Sequence, residues 1–156
     1  MLIISVKGRP APQGSKDLGS AGQLLESSPY LPAWRQAVKV GAYRAYQAAG
    51  IRHSELPLFP PGKPVTFERI VFLVEPTQCR AADTDEPIGE PDVDKLLRAT
   101  LDALGGARGK QATARLFADD SQVTATGQLR KARPVPGVAL YDRPGALIIV
   151  NWENGS

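Results

Sequence analysis

Cysteine and histidine are almost missing: Cys79 and His53 are each the only residue of their type in 156. A single cysteine excludes an intrachain disulfide and suits a reducing compartment. The same scarcity excludes a zinc site built from the usual nitrogen and sulfur ligands. A Ser-His-Asp or Cys-His mechanism would have to run through His53, which has no motif around it. No apolar run approaches the roughly 18 residues needed to span a bilayer. The opening Met1-Leu2-Ile3-Ile4-Ser5-Val6 lacks the basic flank of a signal peptide. These absences predict a cytoplasmic protein with no membrane partner.

Aromatic residues are also few, at 6% of the chain. Trp34, Phe67, Phe72 and Trp152 fall in apolar periodic positions and read as core, not as platforms for stacked bases. What is present suits one compact domain spanning 1–156: 42% of residues are hydrophobic, while 15 glycines and 14 prolines imply short elements and many loops. The formal charge of +3 tilts the chain toward a polyanionic partner.

Residues 2–8 are apolar and β-branched and read as a first strand. It is ended by the turn formers Gly8-Arg9-Pro10-Ala11-Pro12-Gln13-Gly14-Ser15-Lys16. From 31 to 49, Trp34, Val38, Ala42 and Ala45 recur with helical spacing behind Pro32, and Gly50 can cap the end. Val65–Glu75 reads as a strand whose unbroken run Ile70-Val71-Phe72-Leu73-Val74 suits a central place covered on both faces. The segment 76–91 has no periodicity and reads as a loop. A second helix follows over 92–104, with Val93, Leu96, Leu97, Leu101 and Leu104 on one face and Gly105-Gly106 as its stop. Residues 122–131 alternate as a half-buried strand with Val123, Ala125 and Leu129 inward, and 146–152 gives a last strand. The order β-α-β-α-β-β predicts an α+β domain, two helices packed on one face of a mixed sheet.

The chemistry-bearing feature is a pair of acidic clusters. Pro91-Asp92-Val93-Asp94-Lys95-Leu96-Leu97-Arg98 opens the second helix, and Phe117-Ala118-Asp119-Asp120-Ser121-Gln122-Val123 enters a strand. On a regular helix, residues two apart diverge by about 200°, so Asp92 and Asp94 face one ion only if Asp92 sits in the non-helical cap position. Carboxylates without nitrogen or sulfur partners suit Mg²⁺, a hard cation that takes oxygen ligands and keeps several waters. Each aspartate alone also has a structural reading: Asp92 as a cap, Asp94 near the positive end of the helix, and Asp119-Asp120 as turn residues. Asp102, four residues after Arg98, which is four after Asp94, predicts a ladder of helix-surface ion pairs.

Together the clusters resemble a known family. The patterns Asp-x-Asp-Lys/Asn-Leu-x-x-x-x-x-Asp-Ala-Leu, here Asp92 to Leu104, and Asp-Asp-x-Gln-Val, here Asp119 to Val123, are similar to those of the RusA-like crossover-junction endonucleases. The likeness extends to Gly8-x-Pro10-x-Pro12-Gln13-Gly14-Ser15-Lys16 and to Tyr30-Leu31-Pro32-Ala33-Trp34-Arg35, and so covers most of the chain in order. The resemblance implies a homodimeric α+β nuclease that makes paired nicks in branched DNA, the four-way Holliday junction, with Mg²⁺ or Mn²⁺. It assigns the essential carboxylates to Asp92, Asp94 and Asp120, with Asp119 as a supporting metal residue. The family's lysine after the second aspartate is replaced here by Arg98. Arginine keeps the charge but does not readily give up a proton, so phosphate contact is its expected role.

DNA would be held by Arg9 and Lys16 in the first loop, Lys95 and Arg98 beside the carboxylates, and Arg108, Lys110 and Arg115 in the Gly-rich loop. Tyr30 and Phe117 flank the acidic clusters as candidate wedges between bases. The expected chemistry is hydrolysis leaving 5′-phosphate and 3′-hydroxyl ends. Three alternatives share these residues: an endonuclease that cuts forks or flaps, a Mg²⁺-dependent nucleotide pyrophosphohydrolase, and a non-catalytic dimeric DNA-binding module.

Overall fold

Alternating apolar residues at the start of the chain form β1 (Leu2–Lys7), whose Leu2, Ile4 and Val6 are buried while Ile3 is exposed. The computed structural model describes residues 1–14, 16–18, 24–26, 28–75, 86–105 and 115–153, with backbone only for 16–18 and 24–26. The latter two form a short antiparallel hairpin, β2 (Lys16–Leu18) with β3 (Leu24–Glu26). Cys79, Arg108, Lys110 and the 76–85 part of the expected loop lie outside the described residues.

The helix α1 (Leu31–Ala48) starts at Tyr30 with Pro32 in its first turn. It buries Leu31, Trp34, Val38, Ala42, Ala45 and Tyr46, a stripe set by the 3.6-residue period. Ile51 N donates to Tyr46 O at 2.9 Å and Gly50 N to Gln47 O at 3.1 Å. Gly50 has φ +72°, so a glycine-based cap ends the helix where the sequence places it. The helix lies close on β1, because a Cβ at Gly41 would come 2.8 Å from the Ser5 carbonyl oxygen.

β4 (Val65–Leu73) lies between β6 (Gly145–Val150), which it pairs antiparallel, and β5 (Val123–Ala132), which runs parallel to it. The sheet order is β1-β6-β4-β5, and α2 (Val93–Gly105) lies between the two parallel strands in the chain. The domain is therefore α+β, with a mixed sheet of four strands. Both helices pack on one face, over Leu2, Ile4, Val6, Ile70, Phe72, Ala146 and Ile148. Trp34 and Phe72 meet edge to face there, with ring centroids 6.4 Å apart. Thr100, the buried polar residue of α2, is satisfied within this core: it donates to Leu96 O at 2.8 Å and accepts from Trp34 Nε1 at 3.2 Å.

The unbroken apolar run of β4 is covered on both faces. A register irregularity around Glu68 shifts the inward positions from Val65 and Phe67 to Ile70 and Phe72. Val71 and Leu73, with Leu147 of β6, are buried on the opposite side. There Arg69 donates to the Tyr141 hydroxyl at 3.0 Å, which ties the 133–144 segment to that face. One expectation fails in β5: Ala125 is exposed, while Val123 and Leu129 pack on the core. A second irregularity, between Val65 and Thr66, passes over Thr124 and breaks the alternation. No helix among the described residues is long and apolar enough to cross a membrane.

Candidate functional site

Asp92 precedes the first turn of α2, with its carbonyl accepting from Leu96 N at 3.0 Å, and Asp94 lies within that turn. Asp92 thus takes the cap position that lets the two carboxylates approach a common ligand. Both are exposed and line one depression together with Glu86 and Lys131. Lys131, near the end of β5, positions the approach to α2: its Nζ donates to Gly89 O at 2.6 Å and to Pro91 O at 2.9 Å. No pattern along the chain signals this role, because Lys131 reads only as the polar end of a strand. Lys95 stands 3.6 Å from Asp92 across one helical turn.

Asp119 and Asp120 occupy the other end of α2. They line a hollow of about 450 Å³ with Arg35 and Lys39 of α1 and Asp102 of α2. Asp94 and Asp102 are eight residues apart, about 12 Å along the helix axis, so the two acidic pairs sit in separate depressions. Among the described residues, no three histidine, cysteine or acidic side chains come close enough to hold one ion. The geometry therefore supports two pairs and not one converged set of Asp92, Asp94 and Asp120.

The second motif has a clear local cause. Asp119 caps a 3₁₀ turn (Asp120–Gln122), and its carboxylate accepts from Ser121 N at 2.8 Å. The Gln122 side-chain oxygen accepts from Asp119 N at 2.8 Å and from Ala118 N at 3.0 Å. Its amide nitrogen reaches the carbonyls of Phe59, Pro60 and Lys63 at 3.2, 2.9 and 2.8 Å. Gln122 thus clamps the 59–63 segment to the turn, and Asp119 is engaged as a cap. Asp120 accepts from Val123 N through its backbone carbonyl, while its exposed carboxylate has no hydrogen bond or ion pair to the described residues.

The helix-surface ladder does not form. Asp102 turns to Arg35, at 3.7 Å, and to the Gln13 side-chain amide, which donates to it at 2.5 Å. Arg35 also donates to the Gln13 side-chain oxygen. Arg98 makes no ion pair with Asp94 or Asp102; its guanidinium lies where a Cβ on Gly14 would stand, 2.7 Å from that point. The reason is tertiary, since α1 and the first loop give Asp102 partners that the helix alone cannot offer. Gln13, Arg35 and Lys39 are thus part of this surface; the motifs of the first loop and of α1 include Gln13 and Arg35 but assign neither a role, and no motif includes Lys39.

The expected DNA contacts divide. Arg9, Lys95 and Arg98 surround the beginning of α2, where Gln13 N donates to Lys95 O at 3.1 Å and pins the first loop to the helix. Lys16 begins β2 on the same loop, while Arg108 and Lys110 lie outside the described residues. Arg115 is half-buried and engaged within the protein, which argues against the expected phosphate contact. Phe117 is fully buried, so it is core and not a wedge, whereas Tyr30 is 47% exposed. No family model, curated protein or solved structure matches this chain.

Proposed function

We propose that the chain is a Mg²⁺-dependent endonuclease of branched DNA, a crossover junction endodeoxyribonuclease of the RusA-like kind. The observation that carries the reading is the Asp92–Asp94 pair, two exposed carboxylates on one depression, with Arg98, which has no ion pair among the described residues, one turn further along α2. Two hard oxygen donors with open space suit a cation that retains most of its waters, so this pair fits Mg²⁺ or Mn²⁺ as a holding site. The chemistry a divalent ion supplies at such a pair is charge neutralisation at a phosphodiester and acidification of water.

The chain's own residues do the rest. Arg98 presents a planar fork suited to two phosphate oxygens, and as an arginine it orients without exchanging protons. Arg9, Lys16 and Lys95 add phosphate contacts that position the strand without reading its sequence. Lys131 holds the carbonyls before Asp92 and so fixes the pair's entry into the helix. Asp120, whose carboxylate has no partner among the described residues, takes the third carboxylate role that the motif implies. It acts from the neighbouring hollow and not as a ligand in the DNA-free protein. Paired nicks in a four-way junction require two such sites related by a two-fold axis, so the reading includes a homodimer.

The test is incubation with a labelled four-way junction, a fork and a linear duplex, in Mg²⁺ or EDTA, beside Asp92→Asn and Asp120→Asn. Paired Mg²⁺-dependent nicks in the junction, lost in both variants while binding persists, support the reading. Binding without cleavage under any divalent metal overturns it.

A further inference from the structure

Beside the acidic pair, between the first loop and the start of α2, lies a second hollow, of about 380 Å³. That falls within the range of roughly 300 to 1,000 Å³ typical of small-ligand pockets. Its walls are mixed: Pro10, Pro29 and Pro91, with the half-exposed ring of Tyr30, supply apolar surface between charged side chains. The Arg9 guanidinium stacks over that ring, 3.8 Å from its centroid, so two planar groups are already layered at the edge of the hollow. Glu90, Asp92 of the acidic pair and Lys95 add charged groups to the lining.

We propose that this hollow receives one unpaired nucleobase of the bound strand, the base next to the phosphodiester that lies over Asp92 and Asp94. The Tyr30 ring with the Arg9 guanidinium over it, beside the proline rings, offers a surface that recognises a π-face and not a particular base edge. The charge points the same way. Arg9 and Lys95 are balanced by Glu90 and Asp92 in the lining, so the hollow has no excess cation with which to capture a free nucleotide's phosphate. The occupant is held by its base, while its phosphates are met outside, at Arg98. A base can enter only when unstacked, so the pocket favours strands at a branch over continuous duplex. The proposal rests on the nuclease reading for the identity of the strand, but its stacking geometry stands apart from the chemistry.

The experiment is an abasic scan. The dissociation constant of a single-stranded oligonucleotide, and of a junction with one abasic residue moved across the branch, is measured for the wild-type protein, Tyr30→Ala and Tyr30→Phe, in Ca²⁺. One abasic position should weaken wild-type binding by about tenfold, the scale of a single base–aromatic stack. Tyr30→Ala should bind the intact strand as weakly as the wild type binds that abasic strand, with no further loss at the abasic position. Tyr30→Phe should restore the wild-type pattern. A flat scan in the wild type, or an equal abasic penalty in Tyr30→Ala, overturns the proposal. Junction cleavage in Mg²⁺ is read on the same proteins: cleavage with a flat scan removes the base pocket alone, and a coupled scan without cleavage removes the nuclease reading alone.

Discussion

Gln13 and Asp102, 89 positions apart in the chain, meet through a 2.5 Å hydrogen bond that joins the first loop to the second helix. Arg35 of α1 binds both of them. The backbone N–H of Gln13 reaches the Lys95 carbonyl one and a half to two turns earlier on α2. Three elements are thus tied at one residue.

Removing the tie should loosen the loop. Gln13→Ala deletes two part-buried side-chain hydrogen bonds, one to a carboxylate and one from a guanidinium, a loss of about 1 to 3 kcal/mol. The melting midpoint should fall by roughly 3 to 9 °C for a domain of this size. Differential scanning calorimetry on Gln13→Ala and on exposed Lys39→Ala as a control reads the effect. Equal midpoints for Gln13→Ala and the wild type would remove the tie.

The separation of the acidic pairs makes their variants distinguishable. Asp92→Asn and Asp94→Asn should each weaken Mn²⁺ binding to the DNA-free protein more than fivefold and reduce junction cleavage by at least about a hundredfold. Asp120→Asn should leave Mn²⁺ affinity within twofold while losing cleavage to a similar degree. All three side chains are exposed, so folding stability should change by no more than about 0.5 kcal/mol. Calorimetric titration with Mn²⁺ checks this, and an equal loss of affinity in all three variants would mean that the carboxylates converge on one ion.

Phosphate contact should appear as salt dependence. With about six contacts, log K should fall against log[salt] with a slope near −5, and Arg98→Ala should lower its magnitude by about one. Arg115→Ala should leave the slope unchanged, because Arg115 is half-buried and engaged within the protein. Filter binding of a junction between 50 and 300 mM salt, roughly, covers the range. A slope near zero in the wild type would remove the DNA-binding reading.

Alkaline pH tests the core. Burial pushes the Tyr46 hydroxyl well above the ordinary tyrosine value of 10.0. The folded state therefore holds this proton more tightly than the unfolded chain does. The resulting stability is fully present below pH 10 and declines as pH rises above it, by about 1.4 kcal/mol per pH unit. Tyr46→Phe removes the ionisable group, so its unfolding free energy should fall less steeply above pH 10 than that of the wild type. Parallel slopes in urea titrations at several alkaline pH values would show that Tyr46 does not contribute.

The sequence by itself determined the two helices, the four strands of the mixed sheet and the Asp92–Asp94 pair, because these depend on neighbours along the chain; the β2–β3 hairpin carries no such pattern. The stripe Trp34, Val38, Ala42 and Ala45 makes α1 wherever it packs, and Gly50 ends it through its own left-handed backbone. Asp92 and Asp94 need only the start of α2 to come together. Tertiary structure decided what depends on residues distant in sequence. It gave Asp102 to Arg35 and Gln13 and left Arg98 without an ion pair among the described residues. It buried Phe117 and exposed Tyr30, since a ring at a loop edge is core or wedge according to what packs over it. It also held Asp119 and Asp120 apart from the first pair, because a straight helix of 13 residues stands between the two motifs that adjoin its ends. Spacing in a sequence measures distance along the chain; the length of α2 turned that spacing into separation in space.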